Sequence, residues 1–403
     1  MKICIIGGGA AGMTAAATAR GHEITLFEKN EKLGKKVYIT GKGRCNITNN
    51  SPVYEFVENI VNGKKFLYSS INAFPPPAVM EFLDNNGIKT KTERGARVFP
   101  ITDKSSDVIK AFARAIEANG VTLRLNEQVK SIEFGEDGFT VKTQSGAYAF
   151  DRVLVATGGV SYKSTGSTGD GYRFASGFGH NVISAAPALC PIVLRDNVKD
   201  IEGLSLKNVR ATVIADGKKA EQFGEMLFTD TGVSGPIILT LSSYINRWKL
   251  DGERLVIDFK PALSPETLDE RLLSDIGEMP NKSMANIFTS LLPKAVIARV
   301  LAQCGVSGET KGNSLTKEKR FALGYSVKNL HFTMKGLSDI NEAIITSGGI
   351  KTTEINPTTM ESKLVKGLYF AGEVLDIDAL TGGYNLQIAL STGYAAGTHI
   401  TEE

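Results

Sequence analysis

The chain begins Lys2-Ile-Cys-Ile-Ile-Gly-Gly-Gly-Ala-Ala-Gly-Met-Thr-Ala15, and this turn constrains the fold more than any other stretch. An apolar strand over Ile3–Ile6 runs directly into Gly7, Gly9 and Gly12, and an Ala-rich helix follows, read over 10–20. In a strand–turn–helix of this spacing the first glycine permits the tight turn. The second lets backbone lie against a pyrophosphate, and the third lets the helix pack on the strand. The N–H groups of the first helical turn, Ala10 and Ala11 among them, then face the phosphates with the positive end of the helix dipole. A second apolar run, Ile24–Phe27, ends at Glu28 and Lys29, where a carboxylate is expected to hold the ribose hydroxyls of an adenosine. Strand, glycines, helix, strand and acid in this order predict a dinucleotide site.

Composition narrows the alternatives. A chain of 403 residues accommodates two or three domains. Its formal charge is +3 without a dense Lys/Arg block, which argues against a dedicated nucleic-acid surface. Cys4, Cys45, Cys190 and Cys304 are scattered with no CxxC pair, so a reduced, cytoplasmic setting is expected rather than a disulfide framework. No apolar run reaches membrane-spanning length, the first strand is too short for a signal peptide, and four unclustered histidines predict no metal site.

Along the chain, strand and helix patterns alternate to about residue 190. A helix is read over 105–119, and Val129–Phe134, Phe139–Thr143 and Ala147–Phe150 read as an antiparallel meander over the first sheet. Residues 152–156 form a buried strand ending at Thr157-Gly158-Gly159. From 191 to 260 the pattern becomes short strands and turns with a helix over 235–247. Residues 265–326 are mostly helical, and 327–350 read as strands. A buried strand returns at Leu368–Phe370, followed by a glycine-rich turn and a last helix over 386–397. The expected architecture is α/β: a nucleotide-binding core made from both ends of the chain, interrupted by an inserted middle.

Two further segments carry chemistry. In Gly34–Asn49, too glycine-rich for an ordinary helix, Gly41 and Gly43 let main chain approach a large planar ligand. Lys35, Lys36, Lys42 and Arg44 bring charge, and Thr40 and Asn46 bring neutral hydrogen bonds. The GxxxxGK[ST] spacing of a Walker loop is absent. In the second segment, a buried strand ends in Gly372-Glu373, and Gly382-Gly383 leads into a helix. Glu373 and Asp378 suit ribitol hydroxyls, and the helix start suits negative charge on the pyrimidine edge of a reduced flavin. A nicotinamide enzyme needs only the first turn. FAD is long enough to need both ends of the chain.

These three segments, with Thr165-Gly-Ser-Thr-Gly-Asp-Gly171 and Gly224–Pro236, resemble the BaiN-like flavoproteins, or aminoacetone oxidase family, of the glutathione-reductase-like superfamily. The resemblance spans the whole chain and is most specific over Gly41–Asn49. It implies a three-part build: a discontinuous Rossmann FAD domain (1–190 and 346–403), an inserted β-barrel-like domain (191–260 and 327–345) and a small helical domain (261–326). It also implies a noncovalent FAD, with NAD(P)H as transient electron donor and a small-molecule substrate. It places Glu28 on the adenosine ribose, the backbone at Val129 beside the adenine, and Asn385, Leu386 and Gln387 along the isoalloxazine. The chain lacks the redox CxxC and the second full GxGxxG of glutathione-reductase-type enzymes, so a nicotinamide is expected to bind over the flavin.

No catalytic residue is identified from sequence. Cys45 reads as a redox partner or covalent anchor, or as a small residue packed in a tight loop; packing is the preferred reading. Tyr384 and His331 are likewise read as structural before reactive, and Arg44 is assigned to the FAD diphosphate ahead of an anionic substrate. Two other functions are weighed beside a flavin oxidoreductase: an FAD-containing RNA-modifying protein and a non-catalytic flavin redox sensor.

Overall fold

The computed structural model describes residues 1–402, and the chain divides into two compact units, Met1–Ala188 with Asp339–Glu403, and Leu189–Ser338. The first unit is built on a five-stranded parallel sheet. Its strands are β1 (Lys2–Ile6), β2 (Glu23–Phe27), β3 (Thr122–Arg124), β4 (Arg152–Val155) and β5 (Leu368–Phe370), in the order β5-β4-β1-β2-β3. Ile5 on β1 lies between Leu26 on β2 and Leu154 on β4. A parallel strand covered on both faces needs an unbroken apolar run, and Ile3, Cys4 and Ile5 are fully buried. The predicted meander is present as an antiparallel sheet of Val129–Gly135, Gly138–Thr143 and Ala147–Phe150. It lies against β2, with Tyr148 and Phe150 at 5.6 and 6.1 Å from the Phe27 ring.

Helix α1 (Ala10–Thr18) is made almost wholly of small residues because another helix presses on it. The last helix, α3 (Tyr384–His399), brings Gly393 against Ala11 and Gly397 against Ala15. A Cβ at Gly393 would stand 2.3 Å from the Ala11 carbonyl oxygen, and one at Gly397 would stand 2.6 Å from that of Ala15. Because residue numbers rise together along this contact, α1 and α3 run parallel. The start of α3 lies eight residues before the level of the α1 start, or about 12 Å at 1.5 Å per residue. The two N-termini therefore point the same way at two depths.

The second unit contains a closed six-stranded antiparallel barrel, ordered Ile192–Leu194, Gly232–Ser234, Lys218–Phe228, Ser205–Ala215, Arg254–Asp258 and Leu330–Leu337. Two of these strands are 11 residues long, where the sequence reads only short pieces. The helices Pro265–Glu278, Lys294–Gln303 and Lys317–Lys328 share one apolar core with the barrel, through Leu268, Val300 and Leu323. Ser264 and Thr316 cap the first and last of these helices by accepting from the N–H groups of Thr267 and Lys319. Among the described residues no helix is long and apolar enough to cross a membrane, and no His/Cys/Asp/Glu group is arranged to hold a metal.

Candidate functional site

At the first turn the three glycines have three different surroundings. Gly7 has φ +107°, and a Cβ there would stand 2.5 Å from the Ala156 carbonyl oxygen, beside Thr157. A Cβ at Gly12 would stand 1.9 Å from the Gly7 carbonyl oxygen. A Cβ at Gly9 would meet nothing within 4 Å. Gly7 and Gly12 are therefore required by the protein's own packing, whereas Gly9 borders open space. The first helical bond runs from Met13 N to Gly9 O (2.8 Å), so the N–H groups of Ala10, Ala11 and Gly12 precede it and remain outside the helical ladder.

Glu28, at the end of β2, is buried and accepts from Gly8 N (2.7 Å) through one oxygen. The other accepts from Asn30 N (2.8 Å) and Asn30 Nδ2 (2.6 Å). A carboxylate offers about four acceptor positions, so it retains room for a ligand hydroxyl. Lys29 turns away to Thr168 (2.6 Å) and Asp170 (2.9 Å). Glu127 N donates to Glu28 O (3.0 Å), which zips the segment leading to Val129 onto the end of β2. Val129 itself is buried opposite Thr143.

The Gly34–Asn49 segment does begin with a short helix, α2 (Lys35–Ile39), contrary to the reading that its glycines preclude one. Gly34, at φ +67°, sits just before the helix rather than inside it. Thr40 then accepts from Cys45 N (2.9 Å), and Gly41, Lys42, Gly43 and Cys45 all have positive φ, so the loop is a tight left-handed coil. Cys45 is fully buried, and burial pushes its thiol up to about 12. It is a packed residue with no thiolate character at neutral pH. Arg44 is held by Glu93 (2.5 Å) and Asp103 (2.6 Å) with its guanidinium 4.2 Å from the Phe99 ring centre. Its hydrogen bond holds the Glu93 carboxyl below the usual range; Lys91, then Arg44, do the same for Asp103.

The loop is joined to α3 by side chains. The Asn46 carboxamide accepts from Gly383 N (3.0 Å) and donates to Thr48 O (3.2 Å). Thr48 Oγ1 donates to Gln387 Oε1 (2.5 Å), and Gln387 Nε2 donates to Phe74 O (2.7 Å) and Ser391 Oγ (2.9 Å). Asn385 Nδ2 donates to Ala379 O (2.6 Å) while its Oδ1 accepts from Ala379 N (2.9 Å), beside the buried Asp378. These two amides brace the turn, and Leu386 between them stays half-buried. The first helical bond of α3 runs from Gln387 N to Gly383 O (3.1 Å), leaving the N–H groups of Tyr384, Asn385 and Leu386 outside the ladder. Tyr384 packs edge-on to Phe56 at 4.8 Å, the structural role expected of it.

Gly372 closes the gap between the two helices. A Cβ there would stand 2.9 Å from Ala11 Cβ, and its N–H donates to Thr392 (3.0 Å). Glu373 accepts from Lys36 Nζ (2.6 Å), Ser161 Oγ (3.1 Å) and Thr346 N (2.8 Å). The structure thus gathers the Gly7–Gly12 turn, Glu28, Thr157-Gly158, Lys36, Asn46, Gly372-Glu373 and the α3 start within one unit. Sequence reading took 327–350 as strands but did not assign Ile345–Ile350 to the site; this strand is wholly buried, and its Gly349 backs onto Val374 O at a would-be Cβ distance of 2.6 Å. The Gly348-Gly349 pair was the available signal. It also passed over Tyr172, a buried phenol raised above its ordinary range by burial and by the charges of Glu373 and Asp376. The hydroxyls of Tyr172 and Thr157 are buried without a hydrogen-bond partner. An extended ligand with a diphosphate and polar edges fits this cradle: open space at Gly9, two parallel helix starts, and an orphaned hydroxyl at Thr157.

Residues 1–399 match the family described as HI0933-like protein Rossmann domain. The chain is 30% identical over 416 aligned positions to a 3-dehydro-bile acid delta(4,6)-reductase of Clostridium scindens, covering 100% of this chain and 99% of the relative. It is 31% identical over 397 positions to a ribosomal RNA dihydrouridine synthase of Escherichia coli, covering 97% and 96%. A 3-ketosteroid delta1-dehydrogenase structure from Sterolibacterium denitrificans superposes with a TM-score of 0.52 at 14% identity over 99% of each chain, a likeness of fold.

Proposed function

The chain belongs to the HI0933-like Rossmann family, as the motif resemblance implied, and from that premise we propose an FAD-dependent oxidoreductase that reduces a carbon–carbon double bond conjugated to a carbonyl, with NAD(P)H as electron donor. The observation that carries the FAD reading is the parallel offset of α1 and α3. One N-terminus faces the open space at Gly9, and a second, about 12 Å further along the same direction, begins at Tyr384. The first suits a diphosphate and the second an electron-rich ring edge. When bound, FAD supplies hydride transfer at its N5.

This chain's residues supply binding and shape. Ala10, Ala11 and Gly12 offer N–H groups to the diphosphate, and Glu28 accepts from the adenosine ribose. Lys36 neutralises Glu373 beside the ribitol path, and Asn385 and Gln387 hold the α3 start rigid by spending their own side chains on backbone and on Thr48 and Ser391. The substrate class rests on what the two relatives' names share. A 3-oxo steroid with conjugated double bonds and a uracil ring each present an alkene polarised by a carbonyl, which accepts hydride at the far carbon and a proton at the near one.

The test is anaerobic: reduce the reconstituted holoenzyme with NADPH or NADH, then add a Δ4-3-oxo steroid or unmodified ribosomal RNA and follow flavin reoxidation. Rapid reoxidation by the steroid supports the small-molecule reading. The name of the Escherichia coli relative favours the second reading, a uracil in RNA, and reoxidation by RNA alone would establish it. Reoxidation by neither would defeat the substrate class.

A further inference from the structure

Beside α2, against the Gly41–Asn46 loop, lies a cleft of about 500 Å³, bordered by Tyr38, Ile39, Lys42, Lys104 and Ser106. Its floor is apolar and wet: Tyr38 and Ile39 are 44% and 45% exposed although they are neighbours on one short helix. Lys32 Nζ stands 4.8 Å from the Tyr38 ring centre. Its walls carry Lys42 and Lys104, and neither side chain makes a hydrogen bond or ion pair among the described residues. The acids close by in sequence already have cations. Asp103 pairs with Arg44 and Lys91, each at 2.6 Å, and Glu31 pairs with Lys35 at 2.8 Å. Asp107 lies 3.7 Å from Lys110.

The walls are also tied together. Ser105 N donates to Gly43 O (2.9 Å), and Ser105 Oγ donates to Tyr38 O (2.8 Å). The cleft is therefore formed before any ligand arrives, and Lys42 is held at φ +58° within it. Two unpaired lysines lining one small cleft match a dianion better than a single charge. A phosphomonoester carries close to two negative charges at neutral pH, and an exposed ring beside it offers a face to a flat heterocycle. The volume lies within the range of small-molecule pockets, about 300–1,000 Å³.

We infer that this cleft binds the phosphomonoester of a nucleotide, the 2′-phosphate end of NADPH, and so selects NADPH over NADH as the donor. The inference rests on the nicotinamide-linked reading above. The probe is 2′,5′-ADP, titrated calorimetrically into the FAD-loaded protein beside 5′-AMP and inorganic phosphate. The same preparations are reduced anaerobically with NADPH and with NADH. We expect 2′,5′-ADP to bind at least about tenfold more tightly than 5′-AMP or phosphate. K42A and K104A should each weaken it about tenfold, as loss of one charge-assisted contact implies. K104A, outside the Gly41–Asn46 loop, should keep full flavin content and unchanged reduction by NADH.

Equal binding of 2′,5′-ADP and 5′-AMP, phosphate binding as tight as 2′,5′-ADP, or wild-type affinity in both lysine variants would overturn the inference. Lysine-dependent binding of 2′,5′-ADP with no flavin reduction by either nicotinamide would sink the donor reading and leave the phosphomonoester site standing. Flavin reduction by NADPH that is indifferent to both lysines would do the reverse.

Discussion

The turn at Gly7–Gly12 and the loop at Gly41–Asn46 are both glycine-rich and both face the same cradle, yet they are built on opposite plans. The first turn is defined by missing side chains. Ala156 and Gly7 backbone crowd the Gly7 and Gly12 positions, and space stands open at Gly9. The loop is defined by side chains already in use. Arg44 is committed to Glu93 and Asp103, Asn46 to Gly383 and Thr48, and Lys36 to Glu373 and Ser161. The lesson is that a basic, polar loop beside a cofactor need not spend its charges on the ligand. Here much of the charge fixes the shape into which the ligand fits.

Three substitutions sharpen that comparison, from the largest effect down. Gly12→Ala should lose both folding and flavin, because a Cβ at 1.9 Å from backbone has no room; overpacking typically costs about 1–3 kcal/mol, and a clash with fixed backbone falls at the upper end. Soluble yield and thermal melting measure it. Gly9→Val should leave apo-protein melting unchanged while weakening FAD on the order of 100-fold, since only the ligand's charge-assisted contacts are displaced; a fluorescence titration reads this. If both variants behaved alike, the distinction between packing glycine and ligand glycine would be wrong. Arg44→Ala should lower the melting temperature of the holo-protein and weaken FAD by less than about tenfold, a partly exposed ion pair being worth little on its own. A loss as large as that of Gly9→Val would mean that Arg44 binds the diphosphate directly.

The smallest effect lies away from the cradle. His180 is buried, with Nδ1 3.1 Å from Glu354 and Nε2 2.8 Å from Ser362. Burial lowers it below its ordinary value, with Glu354 opposing. Protonation therefore favours the unfolded chain. This contribution is fully present above the unfolded value of about 6.5 and is lost as pH falls through the lower folded value. His180→Gln should flatten the fall in melting temperature between pH 7 and pH 5, and an unchanged slope would remove His180 as its source.

The parts legible in the sequence were those set by local rules. Glycine spacing, a strand covered on both faces and an acid at a strand end each leave a mark within a few residues. The braces were not legible, because their partners lie far off. Glu93 and Asp103 come 49 and 59 residues after Arg44, and Glu373 comes 337 after Lys36. Ile345–Ile350 was legible as a strand, but its place in the cradle was not, because Thr346 accepts from Ser161 N, 185 residues earlier in the chain. The length of the barrel strands escaped for another reason. Ser205–Ala215 and Lys218–Phe228 pair with a register shift between Leu206 and Val209, which breaks the alternation that would have marked one long hairpin.

The most direct test of the central claim is flavin stoichiometry. Purified protein is incubated with FAD, desalted, then denatured, and the released flavin is measured for wild type and for Gly9→Val. The cradle described here predicts one FAD per wild-type chain, fully released on denaturation because Cys45 is a buried thiol rather than an anchor, and almost none with the folded variant. A folded wild-type chain that retains no FAD, or a Gly9→Val chain that retains a full complement, would contradict the account.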